Sequence, residues 1–363
     1  MAIDRRYDGH AVWAARLRGL VRLAPSLALI VLGACAATPP KPSGDPWVSA
    51  LGQEHPLTGR IWAVGDRRFI DPPALVARLA QARFVLLGEA HDNLDHHRLE
   101  AWVVQALIAA GRRPAIGFEM LSVDQAPAIA DYLATRPAGA SGLGAAVGWG
   151  RTGWPPWPWY QPIAEAALAA GLPIVATNLA PATVRAILRE GHAALGLAQR
   201  AQLGLDGPPA PAIQAAMAAE IQEAHCGMVP ADRLDGLIAV QRARDAEMAA
   251  RLAGAGSPDG AVLIAGAGHV RTDRGVPAFL ARQAPGARAL SLAFLQVRRD
   301  ATDPETYAAD FGSGPFPLDY VWFTPRPDDR NPCEKYRVPL ERLRTGTGTG
   351  TGTIRPGTPD SGA

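Results

Sequence analysis

Six apolar runs constrain this chain most: "RFVLLGE" (83–89), "PAIGFEM" (114–120), "LPIVATNL" (172–179), "AVLIAGAGH" (261–269), "ALSLAFLQV" (289–297) and "YVWFT" (320–324). A strand with one wet face alternates apolar and polar residues. Most of these runs do not alternate, so they require a sheet covered on both faces. Helical patterns such as "HHRLEAWVVQALIAAG" (96–111) and "YQPIAEAALAAG" (160–171) fall between them. Strand–helix–strand alternation predicts an α/β fold, a mostly parallel β-sheet flanked by helices. "IWAVGDRRFI" (61–70) reads as a hairpin and "PPALVARLAQA" (72–82) as a helix. Two intervals without a strand, near 121–160 and 181–258, are expected to form a helical cap or side lobe.

In open α/β sheets ligands bind outside the carboxyl ends of the strands, and the unusual polar residues sit there. Glu89 and His91 follow the first run, Glu119 ends the second, Asn178 the third, and His269, Arg271 and Asp273 follow the fourth. Gly88 to His91 and Gly266 to His269 repeat Gly-x-x-His. Glycine permits a sharp turn or a close approach at such a point. Imidazole and carboxylate suit a divalent metal such as zinc, with water in an open position. His91, Glu119 and His269 are thus candidate ligands, with Glu89 as general base. The bland alternative is a hydrogen-bonded cluster that closes the sheet edge.

In "RLDGLIAVQRARDAEMAARL" (233–252), Gln241 and Asp245 fall on the apolar helical stripe and need partners there. Asp245 and Arg271 join the candidate catalytic set, and Arg244 lies beside Asp245. Asp95 is expected to cap the helix after the first motif. His96 shares an apolar face with Leu99 and Val103, and the structural reading is favoured for it. His97 is expected to be solvated. His225 reads equally as a ligand or as part of a turn. In "GWGRTGWPPWPWYQP" (148–162), prolines are expected to prevent a regular helix. Trp154, Trp157 and Tyr160 there are candidate contacts for a flat apolar ligand such as haem. Tyr160 is also a candidate axial ligand, against the plainer reading of aromatics that pack a lid.

The first 34 residues carry arginines and then "LAPSLALIVLGAC", too short to span a bilayer as a stable helix. Leu32-Gly33-Ala34 before Cys35 is similar to a bacterial lipoprotein processing site, so 1–34 is expected as a signal peptide and Cys35 as the lipidated residue. That places the protein in the cell envelope, attached to the membrane through the lipid. Ala36 after the Cys favours the outer membrane, facing the periplasm. Residues 35–58, rich in Pro and Gly, are expected as a tether, 59–344 as the folded domain, and 345–363 as a disordered tail. Two cysteines remain in an oxidising compartment, so Cys226 and Cys333 are expected to pair, the alternative being two buried thiols. With 48% hydrophobic residues the chain can bury a large core, and a net charge of +2 gives no nucleic-acid footprint.

"VLLGEAHDNLDHH", "IGFEM", "HCG", "QRARDAEMA" and "GAGHVRTDRGVP" together resemble the ChaN-like family of haem-binding lipoproteins, in order, across about 60–335. The wider group includes the erythromycin esterases and the Tiki and TraB proteins. The resemblance implies haem as cofactor, a role in haem or iron uptake, and haem held between two copies as a homodimer. It also implicates Glu89, His91, Glu119 and His269 in a metal-type site. Three functions follow as alternatives: an envelope haem-binding lipoprotein, a metal-dependent hydrolase, and a scaffold whose strand-end cluster is structural.

Overall fold

The computed structural model describes residues 46–312 and 314–344. The chain opens with a hairpin, β1 (Ile61–Ala63) and β2 (Arg68–Ile70). Helix α1 (Pro72–Leu79) leads into β3 (Phe84–Glu89), and α2 (Leu94–Ala109) into β4 (Ala115–Ser122). The first insertion carries α3 (Ala126–Ala134), α4 (Leu143–Ala146) and α5 (Trp157–Ala169) before β5 (Ile174–Asn178). The second carries α6 (Pro181–Glu190), α7 (Leu197–Leu203), α8 (Pro211–Ala224) and α9 (Ala231–Ala253) before β6 (Ala261–Gly266). Helix α10 (Val276–Gln283), β7 (Ala289–Gln296), β8 (Tyr320–Thr324) and the short helices α11 (Pro332–Lys335) and α12 (Arg337–Arg344) complete it.

The sheet order is β2-β1-β8-β7-β3-β6-β4-β5. The strands from β8 to β5 in this order are parallel, and β1 runs antiparallel to both its neighbours. The expected α/β architecture is therefore present. β3 lies in the middle, every residue buried. Val85 and Leu87 face one core, with Leu79, Val103 and Ile163 of α1, α2 and α5. Phe84 and Leu86 face the other, with Met248 and Phe279 of α9 and α10. Each such side chain contributes roughly 1.5–3 kcal/mol on burial, which explains why the runs need no polar alternation.

The chain leaves β3 through α2 on one face and leaves β6 through α10 on the other. β3 and β6 are neighbours in register, Gly88 beside Ala265 and Glu89 beside Gly266. Their carboxyl ends thus form a topological switch point, where a crevice opens beyond the sheet. Gly88 is required here, because a Cβ would lie 2.5 Å from Val270 Cγ2 and 3.1 Å from Ala267 Cα.

Three expectations are corrected. Residues 46–58 are not tether. The Asp95 carboxylate accepts from Val48 N and Ser49 N at 2.9 and 2.8 Å, Leu51 bridges to Arg326, and Leu57 is buried. That use of Asp95 leaves Asn93, not Asp95, as the cap of α2, accepting from Asp95 N at 2.9 Å. Proline does not keep 157–162 from being helical. Pro158 sits in the first turn of α5, where no N–H is needed, and Pro162 is accommodated inside the helix. Cys226 and Cys333 form the expected disulfide, tying the segment after α8 to α11 across a separation of 107 residues. Among the described residues no helix is long and apolar enough to cross a membrane. The signal peptide, Cys35 and the tail from 345 lie outside the described residues.

Candidate functional site

Glu89 ends β3, and His91 stands just beyond it. His91 Nδ1 lies 2.5 Å from Glu89 Oε1. Tyr160 of α5 donates its hydroxyl to that same oxygen at 2.8 Å. The second Glu89 oxygen lies 2.7 Å from His97 Nδ1, which is also 3.1 Å from Glu100 Oε2, one helical turn along α2. His97 Nε2 donates to His91 O at 3.0 Å, and because a carbonyl only accepts, that nitrogen carries a proton. Burial opposes charge on Glu89, but the His97 and His91 rings outweigh it and hold the carboxyl well below its usual range. Burial likewise opposes charge on His97, yet Glu89 and Glu100 raise it to about 10. Burial and the neighbouring Glu89 push Glu100 well up.

The second histidine is held in the same style. His269 Nδ1 lies 2.5 Å from Asp245 Oδ1, and its Nε2 lies 3.2 Å from Glu119 Oε1. Gly266 N donates to the other Glu119 oxygen at 2.8 Å. Gln241 Nε2 lies 3.1 Å from His269 Nδ1, so both polar residues of the α9 stripe meet this ring. Against burial, Glu119 and Asp245 raise His269 to about 10. Against burial, His269 lowers Glu119 to about 2, whereas burial dominates at Asp245 and raises it to about 6. His91 and Glu119 meet over Gly266, where a Cβ would lie 3.0 Å from His91 Nε2 and 3.6 Å from Glu119 Oε2.

The strand-end residues therefore do gather, with differences in role. Glu89 is 2% exposed and its oxygens face His91, Tyr160 and His97, so it orients His91 rather than facing a reacting water. Arg271 forks onto Asp273 at 3.0 and 2.8 Å and donates to Phe311 O at 2.9 Å. It braces the loop after β6. Asn178 donates to Glu119 O at 2.9 Å and steadies that strand end. His96 bonds Ala90 N and Thr324 Oγ1, both at 2.8 Å, as a structural histidine.

The expectation for His97 is wrong: it is fully buried. Among the described residues, the group of three with ligand atoms within 4.8 Å of one another is Glu89, His97 and Glu100, not His91, Glu119 and His269. Helix α2 is covered on both sides, by the sheet and by α5, so its pattern hides the inward face. A usable signal was present all the same. His97 and Glu100 lie at i, i+3, and no further charge follows until Arg112.

A cavity of about 930 Å³ opens beside His91, walled by Trp149, Trp154, Trp157 and Trp159 with Asp92 and Tyr336 at its edge. Trp154 is half-buried and packs on the His91 ring, centroids 4.8 Å apart. Trp157 is buried and donates to Ala140 O at 3.1 Å. Tyr160 has no exposed surface, its hydroxyl is committed to Glu89 and it does not line this cavity. A cavity of about 430 Å³ on the other side of His91 is lined by Glu89, His225, Asp245 and His269.

A family model described as haem-binding uptake, Tiki superfamily, ChaN matches residues 75–280. No curated protein matches the chain. Among solved structures, one described as "Cofacial heme binding to ChaN of Campylobacter jejuni" has 17% identity and a TM-score of 0.56, covering 72% of this chain and 95% of that one. That likeness is one of fold. A mutant of the erythromycin esterase EreC in its open conformation has 15% identity and a TM-score of 0.36, covering 79% of this chain and 87% of that one, below the level of a shared fold. The matched segment is more than half of the 363 residues, and the chain belongs to the ChaN family of haem-binding uptake proteins in the Tiki superfamily.

Proposed function

We propose that this chain binds haem in the aromatic cavity beside His91 and serves haem or iron uptake as a lipid-anchored envelope protein. The observation that carries the reading is the cavity itself, about 930 Å³ with four tryptophans in its wall. A porphyrin needs a largely apolar slot, a base for the iron, and a polar outlet for its propionates. Trp154 and Trp159 supply apolar wall, and Arg151 at the exposed rim supplies positive charge. The base would be His91, which borders this cavity against Trp154. Its Nδ1 is held by Glu89 and its Nε2 lies over Gly266, so the ring must turn for Nε2 to meet iron. A carboxylate on the far nitrogen fixes the tautomer and raises the basicity of the near one. Bound haem would supply the iron chemistry, and the side chains would bind and orient it. Titration of the purified protein with haem, followed at the Soret band, is expected to saturate, and Trp154→Ala is expected to weaken binding. Equal affinity in that variant would move haem elsewhere.

Anchorage by Cys35 is supported by Leu32-Gly33-Ala34 before it, and the outer membrane by Ala36 after it. Metabolic lipid labelling should mark the wild type and not Cys35→Ser. A homodimer, expected from the family resemblance, is tested by sedimentation with and without haem. A second reading, a metal-dependent hydrolase, is favoured by His91 and Glu119 meeting over Gly266 at the switch point. It requires metal-dependent turnover that is lost in His269→Ala.

A further inference from the structure

One buried cluster is used by neither reading. Glu89, His97 and Glu100 are 2%, 0% and 0% exposed, and each offers one ligand atom within 4.8 Å of the others. Two of their carboxylate oxygens, Glu89 Oε2 and Glu100 Oε1, are buried with no hydrogen-bond partner. The geometry explains the first. Both carboxylates turn an oxygen to one nitrogen, Glu89 Oε2 at 2.7 Å and Glu100 Oε2 at 3.1 Å from His97 Nδ1, and one ring nitrogen cannot satisfy both fully. A proton on His97 answers these oxygens in the metal-free protein, and a dication could take that proton's place.

We propose that Glu89, His97 and Glu100 form a binding site for a divalent first-row cation, set beneath His91. The His97 ring is arranged as a ligating imidazole requires. Its Nε2 donates to the His91 carbonyl at 3.0 Å, which fixes the tautomer and turns Nδ1 toward the two carboxylates. Two oxygens and one imidazole nitrogen suit zinc, manganese or ferrous iron and disfavour a soft cation such as cuprous copper. Binding releases the protons of His97 Nδ1 and Glu100, after which a dication balances two carboxylates around a neutral imidazole.

Spacing is the second check. Bonds of about 2.0–2.1 Å to a tetrahedral zinc hold neighbouring ligand atoms about 3.3 Å apart. The observed separations of 2.7 and 3.1 Å need to open by only a few tenths of an ångström, which side-chain rotation supplies. Access is the third. Glu89 borders the 430 Å³ cavity, the side from which an ion would enter. None of the three residues lines the aromatic cavity, so the site stands independently of haem. It would also stiffen Glu89, the residue that positions His91.

The test uses the full chain, stripped with a chelator, dialysed against zinc and assayed for metal content. Stoichiometric zinc is expected in the wild type, with a rise in melting temperature on loading. Glu100→Gln and His97→Gln are expected to lower zinc affinity by more than about tenfold, while His269→Ala keeps it. Cobalt loading of the wild type should give visible d–d absorption, a readout that needs no variant to fold. No stoichiometric zinc and no cobalt spectrum in the wild type would overturn the site. So would zinc retained in folded Glu100→Gln, or zinc lost equally in His269→Ala.

Discussion

Gly266→Ala is the most informative single change, because it displaces His91 without removing it. The new Cβ would lie 3.0 Å from His91 Nε2, 3.2 Å from Cε1 and 3.6 Å from Glu119 Oε2. Ordinary contact begins at 3.4 Å, so the ring must give way by a few tenths of an ångström while Glu119 stays. The His91 side chain is 25% exposed and can yield toward the cavity. Alanine also loses less backbone entropy on folding than glycine, so the net stability change should stay within about 1 kcal/mol. The displacement strains the 2.5 Å contact between His91 and Glu89. Haem affinity should fall about threefold to tenfold, which is about 0.7–1.4 kcal/mol. Gly88→Ala is the contrast. Its Cβ meets Val270 Cγ2 at 2.5 Å and the Ala267 backbone at 3.1 Å, and overpacking of that kind costs about 1–3 kcal/mol of folding stability. Urea denaturation and a Soret titration of both variants separate the effects. Unchanged affinity and an unshifted Soret band in a folded Gly266→Ala would refute the placement of His91 at the haem.

Other outcomes follow from the same geometry. His97 and His269 are raised from 6.5 to about 10, so their contribution to stability is complete below pH 6.5 and is lost as pH rises toward 10. Glu119, lowered from 4.5 to about 2, contributes above pH 4.5 and loses that contribution as pH falls toward 2. His269→Gln should therefore flatten the alkaline limb of melting temperature against pH between 6.5 and 10, and an unaltered limb would count against the ion pair. Reduction of Cys226–Cys333, which spans 107 residues, should cost about 3–5 kcal/mol, read as a lower melting temperature in reductant. Trp157→Ala should destabilise by about 3–5 kcal/mol, since Trp157 is buried in the core, whereas Trp154→Ala should mainly weaken haem binding.

The sheet and its loaded edge were legible because uninterrupted apolar runs have few structural outlets. Once β3, β4, β5 and β6 are parallel neighbours in one sheet, Glu89, Glu119, Asn178 and His269 must share an edge. The stripe of α9 pointed to Gln241 and Asp245, and both reach His269. What escaped depends on tertiary cover. His97 lies on a helix wrapped on both faces, so burial there has no periodic signature. Residues 46–58 look like linker by composition, yet Asp95, 47 and 46 residues from Val48 and Ser49, holds their backbone. Arg271 stood next to the site in sequence but turns to Asp273. Tyr160 was placed near the ligand by its aromatic stretch, and helix α5 carries it inward to Glu89 instead.

The most direct measurement compares Soret titrations of the wild type, His91→Ala and His225→Ala. His91 borders both the aromatic cavity and the smaller one, while His225 lines only the smaller. Saturable binding by the wild type is expected, with a displaced band and weaker affinity in His91→Ala and an unchanged titration in His225→Ala. Loss of the wild-type spectrum in His225→Ala, with His91→Ala unaffected, would contradict haem binding beside His91.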